Sequence, residues 1–166
     1  TAWGVECAPG GGYIVMVNGE WEEDGLGYSS VVHSVRIDEN GDEQGSYVTY
    51  PPYRAAYVGW SNTGGSLNDV NGFYSAGSTL DTTGFNRPSL IFWDNDAVPT
   101  TTLEFELMNS AIGRQAKQTA EGGFVICGEL NADGVQSDAF LIRTDGLGNE
   151  EWTTIYGTTN SYDYFV

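Results

Sequence analysis

The sequence carries very little positive charge. Its 166 residues include 23 Asp and Glu but only 6 Lys and Arg, so the formal net charge is −17, and Lys117 is the single Lys. A chain this acidic is repelled by the phosphates of nucleic acids and by anionic lipid surfaces. We therefore expect no nucleic acid among its partners.

Long apolar runs, cysteine motifs and histidine clusters are also missing. No run approaches the ~18 apolar residues that a membrane-spanning helix needs, which predicts no membrane insertion. Cys7 and Cys127 lie in separate strand-like runs without metal or redox spacing, and we expect two free thiols. His33 is the only His, and no G-x-S-x-G motif accompanies it, so a Ser-His-Asp triad has no support and a packed or half-buried His is expected.

The sequence does contain an internal repeat. A Gly followed by an aromatic residue recurs at Gly12-Tyr13, Gly72-Phe73 and Gly123-Phe124, with spacings of 60 and 51 residues. An Asp that ends an apolar run recurs at positions 38, 94 and 145, with spacings of 56 and 51 residues. Two markers with the same order and a period of about 50 residues indicate three copies of one structural unit.

Each copy has the pattern of four β-strands. In the third copy we predict strands at 110–118, 123–130, 138–145 and 151–157, separated by turn residues such as Asp-Gly-Leu-Gly-Asn. The second and third strands are apolar at consecutive positions, which is typical of strands buried on both faces. The segment 108–121 comes nearest to a helical pattern, but it aligns with a strand of the other copies and we predict a strand there.

Four-stranded units of this kind stack on one another, and radial stacking produces a β-propeller of about 4–8 blades. We predict an all-β, β-propeller-like fold with three four-stranded antiparallel blades that form part of a larger ring. The predicted boundaries are 1–52 for blade 1, 53–108 for blade 2 with an insertion at 61–70, 109–158 for blade 3, and 159–166 for the start of a fourth unit. Either the chain is a piece of a longer protein, as we expect, or neighbouring copies complete the ring.

The pattern of Gly-Gly-aromatic, an apolar run and then "DAFLIRTDGLGNEEWTTIYG" resembles the repeats of large secreted β-propeller-like proteins of Bacteroidetes-type bacterial surfaces. The resemblance is good over 119–157, fair over 10–50 and weak over 53–107, where the Gly-Asn turn and the Trp are missing. It implies a propeller, export, and an extracellular or cell-surface location. It brings no catalytic residue, so the expected function is a non-catalytic structural or binding module for adhesion or assembly.

An enzyme is the competing interpretation. The repeats of quinoprotein propellers have a comparable pattern, in which an Asp is followed by a Gly and then by a Trp. Trp152 follows Asp145 in this pattern, but the other copies have no Trp at the equivalent positions. Glycosidases use a pair of carboxylates in catalysis, and Glu22 and Glu23 form such a pair in this sequence. However, neighbouring acidic residues are common in so acidic a chain. The alternative is therefore a fragment of a quinoprotein-type dehydrogenase or of a glycosidase.

Two groups of residues are candidate binding sites. Asp38, Asn40 and Asp42 place oxygen side chains at alternate positions, as in a calcium loop, although a hairpin turn explains the same residues. No other cofactor is expected. Tyr50, Tyr53 and Trp60 lie in an aromatic-rich segment that suits carbohydrate or protein ligands, or the filling of a blade interface. Further expected partners are other blades of the same protein or neighbouring copies of the chain.

Overall fold

The computed structural model describes residues 2–8, 11–23, 27–49, 59–61, 72–94, 98–132 and 136–157. Twelve β-strands and no helix occur within these residues. Nothing in this described part is a helix that could cross a membrane. The predicted all-β class is confirmed, and the segment 108–121 contains a strand as predicted.

The strands form three antiparallel four-stranded sheets that follow one another along the chain. In each sheet the strands lie side by side in sequence order. The first sheet contains β1 (Ala2–Cys7), β2 (Tyr13–Glu23), β3 (Gly27–Ile37) and β4 (Glu43–Thr49). The second contains β5 (Gly59–Ser61), β6 (Gly72–Leu80), β7 (Asn86–Asp94) and β8 (Pro99–Glu104). The third contains β9 (Ser110–Gln118), β10 (Phe124–Ala132), β11 (Gln136–Thr144) and β12 (Glu150–Tyr156). The blade boundaries proposed from the sequence stay predictions, and most of the predicted insertion, 62–70, lies outside the described residues.

The two sequence markers of the repeat meet in space. A Cβ atom added to Gly12 would lie 2.2 Å from the carbonyl oxygen of Ile37, the residue before Asp38. In the third sheet a Cβ atom on Gly123 would lie 2.1 Å from the carbonyl oxygen of Thr144, the residue before Asp145. Both distances are far below van der Waals contact, so only glycine fits where the second strand begins beside the end of the third.

Asp residues close hairpin turns of the sheets. Asp38, Asp81 and Asp145 each begin a five-residue turn in which the Asp N–H donates to the carbonyl of the fifth residue over 2.9 Å. The fourth residue is a glycine whose φ lies between 83° and 90°, a conformation that other residues rarely adopt. One carboxylate oxygen of each Asp also accepts the backbone N–H of the third and fifth residues over 2.8–3.0 Å. The turns at 38 and 145 join β3 to β4 and β11 to β12, whereas the turn at 81 joins β6 to β7. Asp94 makes the same pair of bonds with Val98 between β7 and β8.

These turns predict an acid-sensitive stability. The pKa of each of the three carboxyls is lowered, chiefly by the Asp42 backbone N–H for Asp38, the Thr83 hydroxyl for Asp81 and the Asn149 side-chain amide for Asp145. A lowered folded-state pKa contributes stability above the unfolded pKa, about 4, and that contribution is lost as the pH falls through the folded pKa.

We therefore expect Asp145→Asn, which keeps the shape but removes the charge, to lower the urea midpoint at about pH 7. The difference from the unmodified protein should shrink as the pH falls through the lowered folded-state pKa of Asp145, because the carboxyl then becomes protonated. Glu104→Gln, on the exposed side of β8, is the control and should shift the midpoint much less. A deficit in Asp145→Asn that stays constant from neutral to acid pH would contradict the charge-based account.

The second sheet lies between the other two and is covered on both faces. Its Phe73, Ile91 and Trp93 pack with Ile14 and Met16 of the first sheet in one hydrophobic core. A larger core joins its other face to the third sheet through Tyr74, Ala76, Leu90, Phe92, Phe105, Leu107, Ala111, Ala116, Phe124, Ile126, Leu130, Phe140 and Ile142. Consecutive residues of β6 and β7 are buried because both faces of this sheet are covered, as the sequence predicted for the second and third strands.

The closest backbone approaches between sheets involve β1 and β9, the first strands of the first and third sheets. β1 contacts β5, and β9 contacts β5, β6 and β7, whereas the main contacts of β4, β8 and β12 are with the third strand of their own sheet. A Cβ atom on Gly113 of β9 would lie 2.5 Å from the carbonyl oxygen of Gly77 in β6, so the second and third sheets almost touch there. At the opposite edge β12 is exposed along nearly its whole length. The first strands β1 and β9 thus lie at the contacts between sheets, whereas the fourth strands lie away from them.

Candidate functional site

The described structure offers two uncovered sheet faces, and the repeat makes their equivalence clear. Residues on a strand alternate between its two faces. We define the leading face of each sheet as the one that carries the second and fourth residues after the marker glycine. These residues are Ile14 and Met16 in the first sheet, Tyr74 and Ala76 in the second, and Val125 and Cys127 in the third. The trailing face is the opposite one, with Tyr13, Phe73 and Phe124 at its first position.

Both internal interfaces join a leading face to a trailing face. Ile14 and Met16, on the leading face of the first sheet, pack against Phe73 and Trp93 on the trailing face of the second. Tyr74 on the leading face of the second sheet packs against Phe124 of the third, with ring centroids 4.9 Å apart and an edge-on angle of 72°. The same contact is made twice in the same direction. The trailing face of the first sheet and the leading face of the third therefore have no neighbouring sheet among the described residues.

Polar contacts reinforce the interface between the second and third sheets. The backbone N–H of Gln118 donates to the Tyr74 hydroxyl over 3.0 Å. The backbone and side-chain N–H groups of Asn86 donate to the Ser110 hydroxyl over 3.1 and 3.3 Å. Because Tyr74 is 1% exposed, its hydroxyl is shielded from water, whereas Asn86 and Ser110 are half-buried.

Removal of the Tyr74 hydroxyl should weaken this interface measurably. We expect Tyr74→Phe to lower the free energy of unfolding by about 1–2 kcal/mol, since the half-buried N–H of Gln118 loses its acceptor. Tyr47→Phe, at a position that is 41% exposed, is the matched control and should change it by less than about 0.5 kcal/mol. Chemical denaturation followed by circular dichroism measures both, and equal effects would show that the cross-sheet bond contributes nothing.

The trailing face of the first sheet is apolar and open. Val5 is 60% exposed and Tyr13 42% exposed, while Val15 and Val35, which pair across β2 and β3, are half-buried. Further positions on this face are Cys7, Val17, His33, Ile37 and Val48. His33 is half-buried, as expected from the sequence.

The leading face of the third sheet is apolar at its centre and ionic at its edges. Val125, Cys127 and Leu141 are half-buried at the centre, and burial raises the pKa of the Cys127 thiol. Arg114 pairs with Glu129, and Arg143 pairs with Glu151 over 2.8 Å. The opposite charges within each ion pair cancel, so this face is much less negative than the chain as a whole.

The predicted calcium residues lie in the first of the Asp turns. One carboxylate oxygen of Asp38 accepts the N–H groups of Asn40 and Asp42 over 2.8 and 2.9 Å, and the other accepts the side-chain amide of Gln44 over 3.2 Å. In this turn the oxygens of the Asp38 carboxylate accept hydrogen bonds from N–H groups, whereas in a cation site they would face the ion. Asp81 and Asp145 accept backbone N–H groups in the same way. The geometry thus favours the turn interpretation, and the calcium site stays a prediction.

An open depression lies beside that turn. Its volume is about 390 Å³, and it is lined by Gly11, Arg36, Ile37, Asp38, Glu39, Asn40 and Gln44. Among the described residues, no three His, Cys, Asp or Glu side chains come together in a way that could hold a metal ion.

The predicted aromatic ligand site comprises Tyr50, Tyr53 and Trp60. Tyr50 and Tyr53 lie outside the described residues, and Trp60 is described only as part of the strand β5. Trp152, interpreted from the sequence as a blade filler, is 41% exposed on β12. No described neighbour covers it in the way that Trp93 is covered.

Both cysteines are free, as the sequence predicted. Cys7 is exposed on the first sheet and Cys127 is half-buried on the third, with the second sheet between them. The sequence did not identify the cross-sheet acceptor Tyr74 or the close approach of Gly113 to Gly77. A period-two count along β6 and β9 could have suggested which residues face a neighbour, but not which neighbour.

A comparison with models of protein families finds no match for this sequence, and a comparison with curated proteins finds none either.

Proposed function

We propose that the chain is a segment of an exported β-propeller, acting at the cell surface as a non-catalytic structural or binding module. The observation that carries this proposal is the repeated contact of leading face with trailing face. A contact that is repeated in one direction adds units without limit unless the rotation between units closes a ring. Four-stranded units with buried central strands and this repeat length are the building blocks of propellers.

The contacts of β5 with β1 and with β9 support a ring over a flat stack. β1, β5 and β9 lie next to each other, whereas the fourth strands β4, β8 and β12 stand apart and exposed. Blades arranged around an axis meet at their innermost strands and diverge outward. The close approach of Gly113 to Gly77 belongs to the same inner region and leaves no room for a side chain.

The surface role is supported by the resemblance of the repeat to those of secreted bacterial proteins and by the acidic composition. A net charge of −17 favours solubility and discourages contact with anionic polymers. The aromatic-rich segment around Tyr50 and Tyr53 remains the predicted position for a carbohydrate or protein ligand.

Two measurements test the proposal on the natural polypeptide. A structure determined by crystallography or electron microscopy should show these three sheets as wedge-shaped neighbours around one axis; an open stack with parallel faces would refute the propeller. Antibodies raised against residues 1–166 should label intact cells of the source organism. Labelling that requires permeabilised cells would refute the surface location.

A further inference from the structure

The two uncovered faces are one trailing face and one leading face, the same combination that forms each interface within the chain. Each internal interface buries one leading and one trailing face, and one face of each kind is left at the ends of the stack. The trailing face of the first sheet exposes Val5 and Tyr13, and the leading face of the third presents Val125, Cys127 and Leu141. Open apolar faces of this kind mark interaction sites on protein surfaces.

We propose that a second copy of the chain binds head to tail, with its first sheet stacked on the third sheet of its neighbour. The inference rests on the stacking of sheets described in the proposed function, and not on the location at the cell surface. The contact continues an interface that the chain already makes twice within itself. A symmetric dimer would instead pair like faces, for which the fold offers no precedent.

The repeat specifies which residues meet. Cys127 is equivalent to Met16 and Ala76, both of which are fully buried against the next sheet. Cys7 lies opposite Tyr13 in the first sheet as Gln118 lies opposite Phe124 in the third, so Cys7 and Gln118 are equivalent.

The known contact of Gln118 then locates Cys7 in the dimer. The N–H of Gln118 reaches the hydroxyl of Tyr74, and the residue equivalent to Tyr74 in the third sheet is Val125. Cys7 of one copy is therefore expected against Val125 of the next, two residues along the strand from Cys127. Within a single copy the two thiols lie two sheet spacings apart, on the order of 20 Å.

The charges of the faces allow this contact. The ion pairs of Arg114 with Glu129 and of Arg143 with Glu151 neutralise the third sheet's leading face, where Lys117 adds an exposed positive charge. The rest of the chain is strongly acidic, so two copies repel each other at long range. We expect association to strengthen as salt is added, because salt screens the repulsion and leaves the apolar contact intact.

A short bis-maleimide reagent distinguishes head-to-tail binding from other arrangements of the 166-residue chain. The variants Cys7→Ser and Cys127→Ser each keep one thiol. Neither alone should be cross-linked into a dimer, whereas an equal mixture should give a dimer that contains one copy of each. The unmodified chain should give a ladder of dimers and larger products.

Two other outcomes would overturn the proposal. Efficient cross-linking of either single-cysteine variant with itself would show that like faces meet. Failure of the mixture to cross-link, together with a monomer mass by light scattering at high concentration and high salt, would show that no copy covers these faces, and that another unit of a longer polypeptide is their occupant. In the second case a cooperative unfolding transition, unchanged from that of the unmodified chain, would leave the proposed stacking and function standing.

A pair of charge substitutions completes the test. Val5→Glu puts a charge on the open trailing face, at a residue that is 60% exposed. Met108→Glu puts a charge on the segment that links β8 to β9, at a residue that is 93% exposed. Val5→Glu should remove the larger species seen by light scattering without changing the urea midpoint, and Met108→Glu should leave them in place. Equal loss of association in both variants would indicate charge repulsion alone and would overturn the assignment to this face.

Discussion

Replacement of Gly123 by Ala should destabilise the protein by about 3 kcal/mol, and the same change at Gly122 by only about 1 kcal/mol. A Cβ atom at Gly123 would lie 2.1 Å from the carbonyl oxygen of Thr144, so the backbone of β10 or β11 must move. At Gly122 nothing lies within 4 Å of an added Cβ, but φ is 88°, a conformation that disfavours any side chain. The two neighbouring glycines are thus required for different reasons.

Equilibrium unfolding in urea measures both losses, with circular dichroism of the β-sheets as the signal. Gly122→Asn is the matched control for conformation, since Asn tolerates positive φ better than Ala does, and it should recover part of the loss at 122. No such recovery is expected for Gly123→Asn, because the obstacle there is an atom and not a torsion angle. Equal losses for Ala at the two positions would contradict the steric explanation of the Gly-aromatic marker.

Replacement of Trp93 by Ala should have the largest effect of any single core substitution proposed, about 3–5 kcal/mol. Trp93 is 1% exposed, packs in the core between the first and second sheets, and donates its indole N–H to the Ser75 hydroxyl over 2.9 Å. Its loss leaves a cavity between two sheets that neither can close without changing its contacts with the rest of the stack. Ser75 is also fully buried, so its hydroxyl loses a partner at the same time.

Two variants separate these contributions. Trp93→Phe keeps most of the apolar volume but removes the donor, and should cost about 1–3 kcal/mol. Trp152→Ala removes the same side chain from a position that is 41% exposed and should cost less than about 1 kcal/mol when measured on the dilute chain. A loss for Trp152→Ala as large as that for Trp93→Ala would show that the third sheet is covered in solution by something the single chain does not contain.

Much of the architecture was predictable because its signals are local. The strand predictions for the third copy, for example 110–118 and 151–157, agree closely with β9 and β12. The Asp-Gly-Leu-Gly-Asn segment forms the turn that its residues favour, since Asp145 and Gly148 satisfy it within five residues. The same local chemistry explains why a calcium loop and a turn look alike at Asp38 in the sequence, and only the bound N–H groups separate the two geometries.

The roles of individual apolar residues were less predictable. The run Tyr13-Ile14-Val15-Met16 is apolar at every position, so it does not reveal that Ile14 and Met16 are fully buried while Tyr13 is 42% exposed. The same holds for Phe140 and Ile142, which are buried, against Leu141 between them, which is only half-buried. Neither the cross-sheet bond to Tyr74 nor the contact of Gly113 with Gly77 has a local signature.

The sequence by itself determined the repeat, the four-stranded units, the turns and the two free thiols, because each of these follows from side-chain patterns within one copy or from the separation between copies. Only the tertiary structure decided which face of each sheet is covered, and that the same pair of faces meets at both interfaces. The physical reason is that burial of a sheet face depends on a neighbour far away in the chain. When a strand is apolar on both faces, its sequence does not show which face a neighbouring sheet covers. The direction in which the sheets stack decides this.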